Sequence, residues 1–160
     1  MKLYFLRHGE AGAAASDADR ELTDIGERDA MNIGVLCRNA HIHFSHVLSS
    51  PITRARQTAR LVIKEHDPIT IEESEHLTPD ADPKNLFEQL RSYTNESRIL
   101  CVTHEPFVST CISILISGME STHIIMKPAS FACVETVGTP SRGNGKLLWL
   151  LNTEMIKNML

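Results

Sequence analysis

The 160-residue sequence has no excess of basic charge, no paired-cysteine spacing and no apolar run long enough to cross a bilayer. With 16 Lys and Arg against 20 Asp and Glu, the formal net charge is −4. That removes the broad cationic footprint of a nucleic-acid binder, so any basic site must be local. The four cysteines, Cys37, Cys101, Cys111 and Cys133, show no CxxC or other metal-ligand spacing. Cys101 and Cys111 lie within apolar runs, so buried free thiols in a reducing compartment are expected. Residues 3–6 are too few for a secretory h-region, and the apolar stretch near residues 111–116 is too short to span a membrane. A cytoplasmic location with no nucleic-acid or membrane partner follows as the expectation. Internal repeats, low-complexity tails and linkers are also missing. One domain, 1–160, with a full core is therefore expected.

What is present centres on residues 2–10, Lys2-Leu3-Tyr4-Phe5-Leu6-Arg7-His8-Gly9-Glu10. The run from Leu3 to Leu6 is uninterrupted and apolar, as in a strand covered on both faces. It stops abruptly at Arg7-His8-Gly9, a position where open α/β sheets bind ligands. Two later segments repeat the pattern: residues 47–49 lead through Ser50 towards Arg54, and residues 99–103 lead to His104. Laid side by side and parallel, the three strands would bring two Arg and two His into one small volume that suits a phosphate.

The remaining elements can be read in order. Residues 11–21 have no apolar period and form a loop beside the site. Thr23 is placed to cap a helix whose stripe is Ala30, Ile33, Gly34 and Cys37. Ser50-Pro51 reads as an N-cap and first helical position, with Arg54 near free backbone N–H groups. Residues 69–71 read as a weak third strand, 72–82 as an acidic connection and 83–93 as a helix. Pro106 is expected to open an apolar helix. Residues 130–137 and 146–151 flank a turn containing Asn144-Gly145, a hairpin signal. Residues 153–160 read as a short helix and Trp149 as core. His41, His43 and His46 lack a matching carboxylate set and read as surface, so no metal and no cofactor are expected.

The chemistry of these residue types is that of phosphoryl transfer. A neutral imidazole at His8 can attack phosphorus and split the transfer into two easier steps. It must be held in one tautomer, which a backbone carbonyl near Gly9 would do, and glycine there lets the backbone approach the phosphate. Guanidinium forks at Arg7 and Arg54 match oxyanion geometry, and His104 adds a donor. Arg20 and Ser16 are further phosphate-contact candidates in the loop, weighed against plain solvated residues.

These segments resemble the signatures of the histidine phosphatase superfamily, which includes phosphoglycerate mutases and acid phosphatases. Residues 6–10 are similar to its RHG signature, and residues 49–59 to its SPxxRAxQTA segment. Residues 22–26 are similar to LTxxG, and residues 102–106 to the strand end bearing a second histidine. The resemblance implies His8 as nucleophile, with Arg7, Gly9, Arg54 and His104 as the phosphate pocket. The short length and the phrase His76-Leu77-Thr78-Pro79 look most like the SixA-type phosphohistidine phosphatases. That implies a phosphohistidine on a phosphorelay (HPt) protein as substrate.

The expected architecture is a three-layer αβα sandwich of the phosphoglycerate mutase-like kind, with a mainly parallel sheet. Its first strand is central and a C-terminal hairpin completes an edge. The proton donor is the open position. Cleaving an alkyl phosphate gains roughly 100- to 10,000-fold from a general acid, and Glu75 and His76 fall where many superfamily members place one. An imidazole leaving group can dispense with it. The alternatives are therefore a small-molecule phosphomonoesterase using Glu75 or His76, and a phosphate-binding module without turnover.

Overall fold

The computed structural model describes residues 1–64, 66, 68–120 and 123–160. Six strands form one sheet: β1 Lys2–Arg7, β2 His46–Ser49, β3 Ile71–Glu73, β4 Arg98–Thr103, β5 Phe131–Thr136 and β6 Gly145–Leu151, in the order β3-β2-β4-β1-β5-β6. The β3–β2, β2–β4 and β4–β1 pairings are parallel, while β5 runs antiparallel to both β1 and β6. The sheet is thus mainly parallel, β1 is interior, and the C-terminal hairpin puts β6 on an edge.

Alternation along the buried strands feeds two cores. Leu3, Phe5, Ile99 and Cys101 face α3 (Pro83–Leu90) and α4 (Phe107–Ser117). Tyr4, Leu6, Leu100 and Val102 face α1 (Asp24–Asn39), α2 (Thr53–Ile63) and α5 (Thr153–Met159). Because β1 and β4 are covered on both sides, their sequences are continuous apolar runs. All four cysteines are buried and free. No helix among the described residues is long and apolar enough to cross a membrane.

Three local expectations differ from the structure. The third strand lies at Ile71–Glu73 rather than 69–71, because its pairing with β2 starts at Val47 opposite Ile71. As an edge strand it keeps Glu72 and Glu73 exposed, so no buried run marks it. Ser50 does not cap α2; the cap is Ile52, after a turn in which the Ser50 hydroxyl accepts the Ile52 N–H. Pro106 opens α4 as its N-cap, as expected. Trp149 is half-buried on the edge strand, its ring 5.1 Å from that of Phe131.

The site is pinned to α1 by a close backbone approach. Thr23 caps α1 by accepting the Gly26 N–H. A Cβ built on Gly9 would stand 2.6 Å from the Gly26 carbonyl oxygen, and one on Gly26 would overlap backbone atoms of Glu10. Backbone cannot give way as a flexible side chain can. Gly26→Ala should therefore destabilise the fold by about 3 kcal/mol, read from urea unfolding, whereas Gly12→Ala, with its nearest neighbour 3.9 Å away, should not.

Candidate active site

Three adjacent parallel strands, β2, β4 and β1, end on the same side of the sheet, and each delivers a functional segment there. β1 ends at Arg7 and is followed by His8 and Gly9; β4 is followed by His104; β2 leads through Ser50 into α2, where Arg54 is the second residue. The four side chains line one cavity of about 360 Å³ together with Glu10, Ala11, Asp17, Arg20, Pro79, Glu105 and Pro128. His8, Arg54 and His104 are 7%, 4% and 1% exposed. The rings of His8 and His104 lie 4.9 Å apart.

The His8 tautomer is fixed from both sides. Arg54 Nε lies 3.1 Å from His8 Nε2, and a guanidinium can only donate, so Nε2 must present its lone pair. His8 Nδ1 is 2.6 Å from the Gly9 carbonyl oxygen, which can only accept. The proton is therefore on Nδ1. Thr58 sets this peptide: its hydroxyl accepts the Gly9 N–H at 3.1 Å and donates to the Arg54 carbonyl at 2.7 Å. One threonine thus ties the His8–Gly9 segment to the helix carrying the arginine.

Arg7 donates through Nη1 to the Met126 carbonyl at 2.8 Å, and its buried Nε meets no protein acceptor among the described residues. The Met126 N–H in turn donates to Glu105 Oε1, while Glu105 Oε2 accepts from the Ser109 hydroxyl. Segment 127–130 completes the wall. Pro128 lines the cavity, the Ala129 N–H donates to the His8 carbonyl, and the Arg7 N–H donates to the Ser130 carbonyl.

Burial is the first cause that pushes His8 down to about 4; the neighbouring Arg54, Arg7 and Arg20 act the same way against the Gly9 hydrogen bond. His104 is pushed to about 3, again first by burial and then by His8 and Arg54. Both rings are neutral at pH 7. Because the unfolded chain takes up these protons near the ordinary value of 6.5 and the folded chain much lower, stability is full above about pH 6.5. It falls as pH drops from there towards 4. Between pH 7 and 5 the loss should be on the order of 2 kcal/mol for each ring, measured by urea unfolding, with His104→Gln removing about half of the slope.

Of the other sequence candidates, Arg20 reaches the cavity, donating to the Gly12 and Ala11 carbonyls and to Asp17. Ser16 is exposed, gives its hydroxyl to Asp19 and does not line the cavity. Glu75 and His76 lie on an exposed 3₁₀ turn, Glu75–Leu77, and line no part of it. The turn directs Leu77 into the core, which leaves its two polar neighbours outside. The structure adds Asp17, whose carboxylate meets Arg54 Nη2 at 2.8 Å while its carbonyl accepts from Nη1. No periodicity in the loop could have singled it out. Among the described residues, no group of three or more His, Cys, Asp or Glu is arranged to hold a metal ion.

An imidazole with a fixed lone pair just after an interior strand, ringed by guanidinium groups at the carboxyl edge of a parallel sheet, is a geometry suited to phosphoryl transfer. The model of the histidine phosphatase superfamily (branch 1) matches residues 3–78, and this match, with the whole-chain likeness that follows, supports a phosphatase. Over its whole length it is similar to the protein histidine phosphatase SixA in its tungstate complex, with a TM-score of 0.86, 28% identity and all of both chains covered. An uncharacterised protein of Picosynechococcus sp. is 28% identical over 134 residues, 81% of each chain. The adenosylcobalamin/alpha-ribazole phosphatase of Salmonella typhimurium is 40% identical over 72 residues, 42% of this chain and 35% of that enzyme.

Proposed function

We propose that this chain, as a single domain over residues 1–160, is a cytoplasmic phosphohistidine phosphatase acting on a phosphorelay (HPt) protein through a phospho-His8 intermediate. Arg54 Nε–H moves from His8 Nε2 to a phosphoryl oxygen and frees the single Nε2 lone pair; His8 Nε2 then attacks phosphorus, and the bond from phosphorus to the substrate imidazole breaks. That imidazole keeps the bonding pair and leaves neutral when its other nitrogen carries a proton. The His8 ring becomes cationic, and its Nδ1–H bond to the Gly9 carbonyl becomes charge-assisted. Water then attacks phosphorus, the pair returns to His8 Nε2, and phosphate departs with the water protons. Arg7, Arg54 and His104 hold the phosphoryl oxygens in both steps, with Arg20 at the rim.

One observation supports a phosphohistidine over an alkyl phosphate. Each carboxylate that lines the cavity is already held as an acceptor: Glu10 by the Thr23 hydroxyl, Asp17 by Arg54 and Arg20, Glu105 by Ser109 and the Met126 N–H. None is presented as a proton donor, and imidazole leaves without one more readily than an alkoxide. The second reading, a small-molecule phosphomonoesterase, has the Salmonella phosphatase in its favour. Phosphate release from a phosphohistidine-bearing HPt protein and from a panel of alkyl phosphomonoesters separates the two. The proposal expects turnover of the phosphoprotein with kcat/KM at least 100-fold higher. Faster turnover of the esters would replace it with the second reading.

A further inference from the structure

Ser50 is fully buried where β2 ends, with its N–H donated to the Val102 carbonyl at 2.9 Å. Its Oγ lies 2.9 Å from His104 Nε2 and accepts the Ile52 N–H at 3.3 Å. The amide can only donate, so it uses an acceptor position of the hydroxyl and leaves the hydroxyl proton to be placed. A buried polar hydrogen without a partner costs about 1–3 kcal/mol, and the acceptor that this one meets is His104 Nε2. A neutral ring that accepts at Nε2 carries its proton on Nδ1. That second nitrogen is buried and meets no protein partner among the described residues, while the ring itself lines the cavity.

We infer that Ser50 is a positioning residue that holds His104 in the Nδ1–H tautomer, so that an uncharged ring offers a hydrogen-bond donor to a phosphoryl oxygen. The inference rests on the reading of this cavity as a phosphate pocket. The opposite tautomer would turn a lone pair towards the oxyanion and repel it. A protonated ring would serve as a donor too, but burial opposes one first, and His8 and Arg7 from the β1 end and Arg54 from α2 add to it against Asp17 from the loop. In this arrangement the Ser50 hydroxyl serves the site as well as the turn that leads into α2.

Two measurements test the assignment, and neither requires turnover. In the uniformly ¹⁵N-labelled protein near pH 7, the His104 imidazole nitrogens should report protonation at Nδ1, and in Ser50→Ala that tautomer should no longer dominate. A wild-type ring protonated at Nε2, or at both nitrogens, overturns the inference even if the enzyme proves to be a phosphatase of any kind. The second measurement is the affinity for inorganic phosphate. Ser50→Ala should weaken it roughly tenfold, as loss of about one hydrogen bond does, and Ser50→Thr should restore it. In a His104→Ala background the same substitution should have no further effect. An equal loss in both backgrounds means that Ser50 acts through the fold and not through the ring, and overturns the inference. Absence of phosphate binding in the wild type would remove the phosphate-pocket reading instead, leaving the tautomer to be decided by the nitrogen shifts.

Discussion

His8→Ala should abolish both turnover and the covalent intermediate. The lone pair on Nε2 is the feature towards which Gly9, Thr58 and Arg54 are all arranged, and no other neutral nucleophile in the cavity is held in that way. Removing an activated nucleophile costs on the order of 10⁴- to 10⁶-fold in kcat, since the residual rate comes from binding and charge stabilisation alone. Rapid quenching with labelled phosphohistidine substrate should show an acid-labile, alkali-stable phosphoryl-enzyme in the wild type and none in the variant. Phosphate affinity should persist, because Arg7 and Arg54 remain. Retained turnover with no labelled enzyme would mean direct attack by water, and the two-step mechanism would be wrong.

Arg54→Lys should be nearly as damaging as Arg54→Ala. The guanidinium makes two kinds of contact at once: Nε donates to His8 Nε2, and the two Nη groups face the position now held by Asp17. An ammonium group is a single point with no fork, so it serves one of these contacts and abandons the other. Loss of one preorganised donor to a transition-state oxyanion is worth about 100- to 1,000-fold in kcat, and both variants should fall in that range. Stopped-flow measurement of His8 phosphorylation reads this directly. A lysine variant within tenfold of the wild type would show that charge alone suffices at this position.

The parts of this molecule legible in its sequence are those whose physics is local or doubly buried. β1 and β4 are covered on two faces, so their apolar runs announce them, and the residues that follow are delivered to one edge by parallel pairing. Thr23 is found by its own capping chemistry. β3 is obscured because an uncovered edge strand keeps its glutamates. The role of Ser50 was hidden behind a stronger local pattern: Ser-Pro looks like a helix start, whereas the hydroxyl meets the ring of His104, which follows β4. Asp17 and Thr58 act across the fold, and contacts between distant segments leave no periodicity to read. The proton-donor candidates at Glu75 and His76 came from position along the chain, but both are exposed on a 3₁₀ turn and do not line the cavity.

The contact between Asp17 and Arg54 makes ligand entry an exchange. The pocket already holds an anion of its own, supplied by a side chain that is 63% exposed and sits on an 11-residue loop segment spanning 11–21. An incoming group gains only the difference between its own contacts with the guanidinium and those of the departing carboxylate. A singly charged, planar carboxylate from a metabolite offers nearly the same contacts as Asp17 and so gains little. A tetrahedral, doubly charged phosphoryl group would gain more under the proposed function, because Arg7, His8 and His104 line the same cavity. If the cavity takes a phosphoryl group as proposed, the loop would act as an internal reference ligand that sets a threshold of charge and shape for entry.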